Sequence, residues 1–147
     1  MVIIIFMKTI LVDAINTFVI KNEGIFADMY KMLEEYPNRK IILTNANDAQ
    51  MVQFGLVEMP YEVFTLKHEP DKVDSGYYSS MLAHFGLDVS DVVYFEHSAD
   101  AVRSARSLGI CVFHYDDVLR DLGALRGFFD GNLQGIYAVF ILTWMSF

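Results

Sequence analysis

Three strand-like runs end in side chains that could do chemistry. "TILVDA" reaches Asp13, "IILTNA" reaches Thr44 and Asn45, and "VVYFEH" reaches Glu96 and His97. Each run is apolar on both faces, as strands inside a parallel sheet are. Open α/β sheets bind ligands in the crevice beyond the carboxyl ends of their strands. A carboxylate, a hydroxyl beside an amide, and a carboxylate beside an imidazole are therefore expected to converge at one sheet edge, with Asp13 the leading candidate for chemistry. Each also has an ordinary reading: Asp13 as a turn cap, Thr44 and Asn45 as loop polars, Glu96 and His97 as a pair that binds nothing.

The elements that must position these groups alternate along the chain. "KTILVDA", "RKIILTNA", "YEVFTL", "DVVYFEH" and "ICVFHY" read as strands, and "FADMYKMLEEY", "DAQMVQFGL", "SGYYSSMLAHFGL" and "ADAVRSARSLG" as the helices between them. Gly86 and Gly109 are credible helix stops. This order predicts an α/β fold, a three-layer, doubly wound parallel sheet of the Rossmann-like kind. The opening "MVIIIFMKTILV" lacks the basic start and cleavage site of a signal peptide and reads as the first strand with an extension. At the far end, composition switches after Gln134. The expected division is a core domain over 1–134 and an apolar tail over 135–147 that packs on its own domain or on a second copy, making a homo-oligomer.

Composition limits the function classes. The 147 residues are 54% apolar and 20% charged, enough for one buried core. A net charge of −8 disfavours nucleic acid and anionic membranes as partners, because both require a basic surface. The terminal apolar runs are too short to span a bilayer. Cys111 stands alone and forms no intramolecular disulfide, so a cytoplasmic location is expected.

The motifs resemble those of the haloacid dehalogenase superfamily over roughly residues 8–115. In that family a strand ends in an aspartate nucleophile followed by a second Asp two residues on, a Gly and a Thr; here Asp13, Ile15, Asn16 and Thr17 stand at those places. "IILTNAN" matches the second motif through Thr44 and Asn45. "KVDSGYYSSML" matches the third, with Lys72, Asp74, Tyr78 and Leu82 in frame and Val73 in place of Pro. "FEHSADAVRSARSLGI" matches the fourth, with Glu96 and His97 where relatives carry acidic residues. Four motifs in order at normal spacing are more specific than any one alone. The gaps between motifs are too short for an inserted domain, so the resemblance implies a capless member that acts on a phosphorylated substrate, a large one included.

The resemblance also assigns roles. Asp13 would attack phosphorus to give an aspartyl-phosphate, Thr44 and Asn45 would bind phosphate oxygens, and Lys72 would offset the charge shared by Asp13 and the phosphate. Magnesium would be held by Asp13, the carbonyl of Ile15 and Glu96, with His97 and Asp100 as further candidates. Two departures weaken that assignment. Ile15 has no proton to give, and general acid/base assistance is worth about two to four orders of magnitude in rate. His97 offers nitrogen where a hard ion favours oxygen, so magnesium binding should be weak. The expected function is a slow magnesium-dependent phosphohydrolase, with a catalytically degenerate binding or assembly protein of the same fold as the alternative. A nuclease of the PIN type, which also opens on a strand ending in Asp, is the remote third.

Overall fold

The computed structural model describes residues 1–139, with side chains placed through Gly135. Five strands form the central sheet: β2 (Thr9–Asp13), β5 (Lys40–Thr44), β6 (Glu62–Thr65), β7 (Val92–Glu96) and β8 (Cys111–His114). They are parallel throughout and lie in the order β6-β5-β2-β7-β8. The chain winds outward from β2 through β5 to β6, then returns to β7 and β8 on the other side. The switch in winding direction falls beside β2, where such sheets open a crevice at their carboxyl ends.

Alternation along each strand divides the core in two. Ile10, Val12, Ile42, Val93 and Phe95 face one layer, in which α1 (Ala27–Glu34) contributes Met29, Met32 and Leu33, and α5 (Leu122–Asn132) contributes Leu125 and Phe129. Leu11, Ile41, Leu43, Val92 and Tyr94 face the other, built from α3 (Ser75–Phe85) through Tyr77, Tyr78 and Met81 and from α4 (Ala99–Ser107) through Val102 and Ala105. Each face thus buries a separate apolar layer, which makes the three-layer, doubly wound arrangement expected from the sequence. The segments between the motifs carry only short elements: a ribbon of β3 (Val19–Ile20) and β4 (Gly24–Ile25) with α1 after Thr17, and α2 (Asp48–Gln53) with β6 after Asn45. Neither holds a cap. Among the described residues no helix is long and apolar enough to cross a membrane.

Two features differ from the sequence reading. The opening run is two strands, because the chain breaks at Lys8, whose amide donates to the Leu133 carbonyl and whose carbonyl accepts from Asn38 Nδ2. The first of them, β1 (Val2–Met7), leaves the central sheet and pairs antiparallel with β9 (Gln134–Val139), Phe6 opposite Gly135. The Phe6 ring lies where a Cβ at position 135 would stand, so this glycine admits the aromatic across the pair. The boundary expected after Gln134 therefore falls inside a strand, and 140–147, the rest of the expected tail, lies outside the described residues. Helix α5 is the second difference. Its N-cap Asp121 accepts from the Ala124 amide, and Leu122, Leu125 and Phe129 follow at helical spacing. Gly123, Gly127 and Gly131 lower its intrinsic propensity by about 1 kcal/mol each relative to alanine, so packing of the apolar stripe decides the outcome.

Candidate active site

Asp13 is the last residue of the central strand, and Glu96 is the last of its neighbour β7. Both side chains are almost wholly buried, Asp13 at 3% and Glu96 at 1% exposure. Lys72 reaches them from the loop before α3. That loop is pinned where the Lys72 amide donates to Asn45 Oδ1, 2.8 Å away, just beyond the end of β5. The buried Lys72 Nζ then donates to Asp13 Oδ1 and to Glu96 Oε1, each at 2.8 Å. Groups 24 and 59 residues apart in sequence from Lys72 meet on one ammonium.

The remaining carboxylate oxygens are also engaged. Asp13 Oδ2 accepts from Thr17 Oγ1 at 2.7 Å, from the His97 amide at 3.2 Å and from His97 Nδ1 at 2.5 Å. Glu96 Oε2 accepts from the amides of His97 at 2.8 Å and Ser98 at 3.2 Å, where the chain turns into the N-terminus of α4. Tyr94 Oη donates to Glu96 Oε1 at 2.8 Å and lies 3.2 Å from Tyr78 Oη, extending the polar chain into the core.

Charge is balanced within this cluster: two carboxylates face one ammonium and one imidazole. Burial alone would raise the Asp13 pKa; the Lys72 ammonium and the His97 ring outweigh it and hold Asp13 well below the usual carboxylate range. Burial opposes the charge on Lys72 too, but Asp13 and Glu96 together keep it protonated, its pKa well above the ordinary value. Burial and the neighbouring Asp13 charge push Glu96 up, with Lys72 acting in the opposite sense. Hydrogen bonds to Asp13 and Glu96 push His97 up to about 10. Buried ion pairs seldom stabilise a fold more than apolar residues of the same volume would, and titratable groups perturbed this far concentrate at functional sites.

The cluster floors a cavity of about 200 Å³ lined by Asp13, Ile15, Thr44, Asn45, Lys72 and His97 among others. On this measure a water needs only about 10–15 Å³, so this space is ample for a phosphate group. Thr44 ends β5 at the same edge, and its Oγ1 accepts from the Ala46 amide at 3.2 Å, leaving the hydroxyl proton as the part of the group able to meet an anion. Asn45 spends its side-chain oxygen on the Lys72 amide and so positions the lysine. Ile15 presents an apolar side chain where the resemblance has an acid.

Asp13, Glu96 and His97 each present a ligand atom, all within 4.8 Å of one another. The carboxylates suit a hard cation and the imidazole does not, so magnesium fits this donor set through oxygen only. Asp100 is not brought into the cluster. It lies exposed in the first turn of α4 and pairs with Arg103 at 2.9 Å, its helical position carrying it to the solvent face.

Several participants escape a sequence reading. Tyr94 lies two residues before Glu96, and the period of a strand puts both on one face, a signal that was available. Thr17 is visible as part of the first motif, but not as the donor on Asp13. His68 left no signal: it lines the cavity wall with Nδ1 2.7 Å from Asp71 Oδ1 and Nε2 2.5 Å from Gln50 Oε1.

Solved structures share the architecture. A conserved haloacid dehalogenase-like protein of unknown function from Agrobacterium tumefaciens superposes with a TM-score of 0.52 and 18% identity over 70% of this chain and 60% of its own. The UTR4 protein of Saccharomyces cerevisiae gives 0.50 and 20% over 65% of this chain and 49% of its own. An uncharacterized protein from Corynebacterium glutamicum gives 0.53 and 16% over 88% of this chain and 98% of its own. The chain thus spans about half the length of the yeast protein and 60% of the Agrobacterium one. No family model and no curated protein matches the sequence. The fold is haloacid dehalogenase-like, the class that the four motifs resemble.

Proposed function

We propose that this chain transfers the phosphoryl group of a phosphate monoester to Asp13 and then to water, slowly. The observation that carries this reading is the single ammonium of Lys72 held between Asp13 and Glu96 at the floor of a cavity with room for a phosphate group. Phosphoryl transfer asks a protein chiefly to position a nucleophile in line and to offset charge on the transferred group. Among the described residues Asp13 Oδ1 takes only Lys72 as donor, whereas Oδ2 takes three, so Oδ1 is the attacking oxygen. Lys72 and the Thr44 hydroxyl face the oxygens of the phosphate. Thr17 and His97 fix the carboxylate in one orientation. Magnesium, where bound, would be held by Asp13, Glu96 and the Ile15 carbonyl and would supply Lewis-acid charge on the phosphate oxygens. With no acid at Ile15, leaving groups must depart largely unassisted, which costs about two to four orders of magnitude. An uncapped cavity suits a phosphate carried on a large molecule.

A second reading, a binding or assembly protein that has lost turnover, is favoured by Ile15 and by the His97 ring seated on Asp13. Hydrolysis of an aryl phosphate, with and without magnesium, separates the two. Turnover abolished by Asp13→Asn supports the hydrolase, and equal residual rates in both chains support the binding protein. Ile15→Asp should raise kcat about a hundredfold or more if the cavity is otherwise competent.

A further inference from the structure

We infer that the His97 ring is the resident occupant of the cation position, so that this site binds phosphate without a divalent ion and admits such an ion only by expelling the ring. The inference rests on the reading of the cavity as a phosphate site and adds which group of the chain a divalent ion must displace there.

His97 grips the same two carboxylates twice. Its amide lies 2.8 Å from Glu96 Oε2 and 3.2 Å from Asp13 Oδ2, and its Nδ1 lies 2.5 Å from Asp13 Oδ2 and 3.3 Å from Glu96 Oε2. These are the oxygens that a divalent ion between Asp13 and Glu96 would need. A nitrogen facing two carboxylate oxygens is a donor, so Nδ1 carries the proton and is no metal ligand in this arrangement. Thr17 adds a third donor to Asp13 Oδ2, which exceeds its two lone pairs, and Thr17 Oγ1 itself stands 3.3 Å from Nδ1. Magnesium demands close, nearly octahedral oxygen contacts at about 2.0–2.1 Å. Asp13 Oδ2 already takes three donors, the His97 ring among them, so an ion seeking that oxygen competes with the ring. The ring is only half-buried and has room to swing outward, whereas the His97 and Ser98 amides beneath it are held on Glu96 Oε2. Ring and ion are therefore alternatives at one place, and the resident one is part of the chain.

Inorganic phosphate and magnesium, used separately as probes, test this on the full chain. Phosphate binding followed by calorimetry should be the same within about threefold in chelator and in magnesium, because no ion is needed. His97→Asp removes the ring and installs a carboxylate in its place; it should bind magnesium alone at least about tenfold more tightly than the native chain. Its phosphate binding should become dependent on the ion. His97→Ser removes the ring without adding charge and serves if the aspartate variant does not fold; it too should bind magnesium more tightly. A native chain that loses phosphate binding in chelator, or ring-free variants whose magnesium affinity equals the native one, overturns the inference. A native chain that ignores phosphate under both conditions refutes the phosphate-site reading, and the inference with it. The magnesium titration then still reports whether the ring blocks the ion, which separates the two failures.

Discussion

Replacing Lys72 with methionine removes the ammonium that stands 2.8 Å from both Asp13 Oδ1 and Glu96 Oε1 while keeping most of the side chain's bulk. Removing one partner of a buried ion pair costs about 3–5 kcal/mol, because the other charge stays buried without compensation. Here two carboxylates lose their common partner, and only the half-buried His97 remains opposite them. A loss of about 3–5 kcal/mol is a large part of the roughly 5–15 kcal/mol that holds a domain together. With a urea slope near 2 kcal/mol/M, the unfolding midpoint at neutral pH should fall by about 2 M. The pH dependence supplies a sign that packing alone would not give. Glu96 already titrates above its ordinary 4.5 in the folded chain, and loss of the ammonium raises it further. The folded variant then takes up a proton that the unfolded chain does not, so stability recovers as pH falls through the folded pKa toward 4.5. Equilibrium urea unfolding of both chains at neutral and mildly acidic pH measures this. A loss under about 1 kcal/mol, the scale of an exposed surface pair, or a loss that is flat with pH, would refute the buried-pair geometry.

Other perturbations probe neighbouring parts. The folded pKa of His97 is raised from 6.5 to about 10, so its contribution is complete below 6.5 and is lost as pH rises toward 10, with a limiting slope of about 1.4 kcal/mol per pH unit; unfolding curves across that window should show the decline, and His97→Gln should flatten it. Tyr94→Phe deletes one donor to Glu96 and should cost about 1.5–3 kcal/mol in chemical unfolding, the range for a hydrogen bond to a charged group. Gly135→Ala places a methyl inside the Phe6 ring and should open the β1–β9 ribbon, seen as faster amide exchange in residues 2–7, with the central sheet unaffected.

The sequence carried the sheet plainly, because strands such as "ILVD" and "VVYF" are apolar on both faces and the helices between them are amphipathic. It hid α5, whose three glycines blur the helical pattern, and the break at Lys8, which depends on contacts with Asn38 and Leu133 far along the chain. Asp13, Thr44 and Glu96 were legible as strand-end groups, since topology alone brings strand ends together. Lys72 was visible only through its motif, because a loop residue has no periodicity to betray where it points. That His97 would sit on Asp13 depends on the tight turn after β7, where its amide and ring face the same oxygens, and residue type alone does not convey it.

The most direct measurement is the intact mass of the protein quenched in acid during exposure to an aryl phosphate, followed by mapping of any adduct. The account predicts one added phosphoryl group on the peptide that contains Asp13 and none in Asp13→Asn. Product released at the same rate from both chains, with no adduct on either, would contradict it.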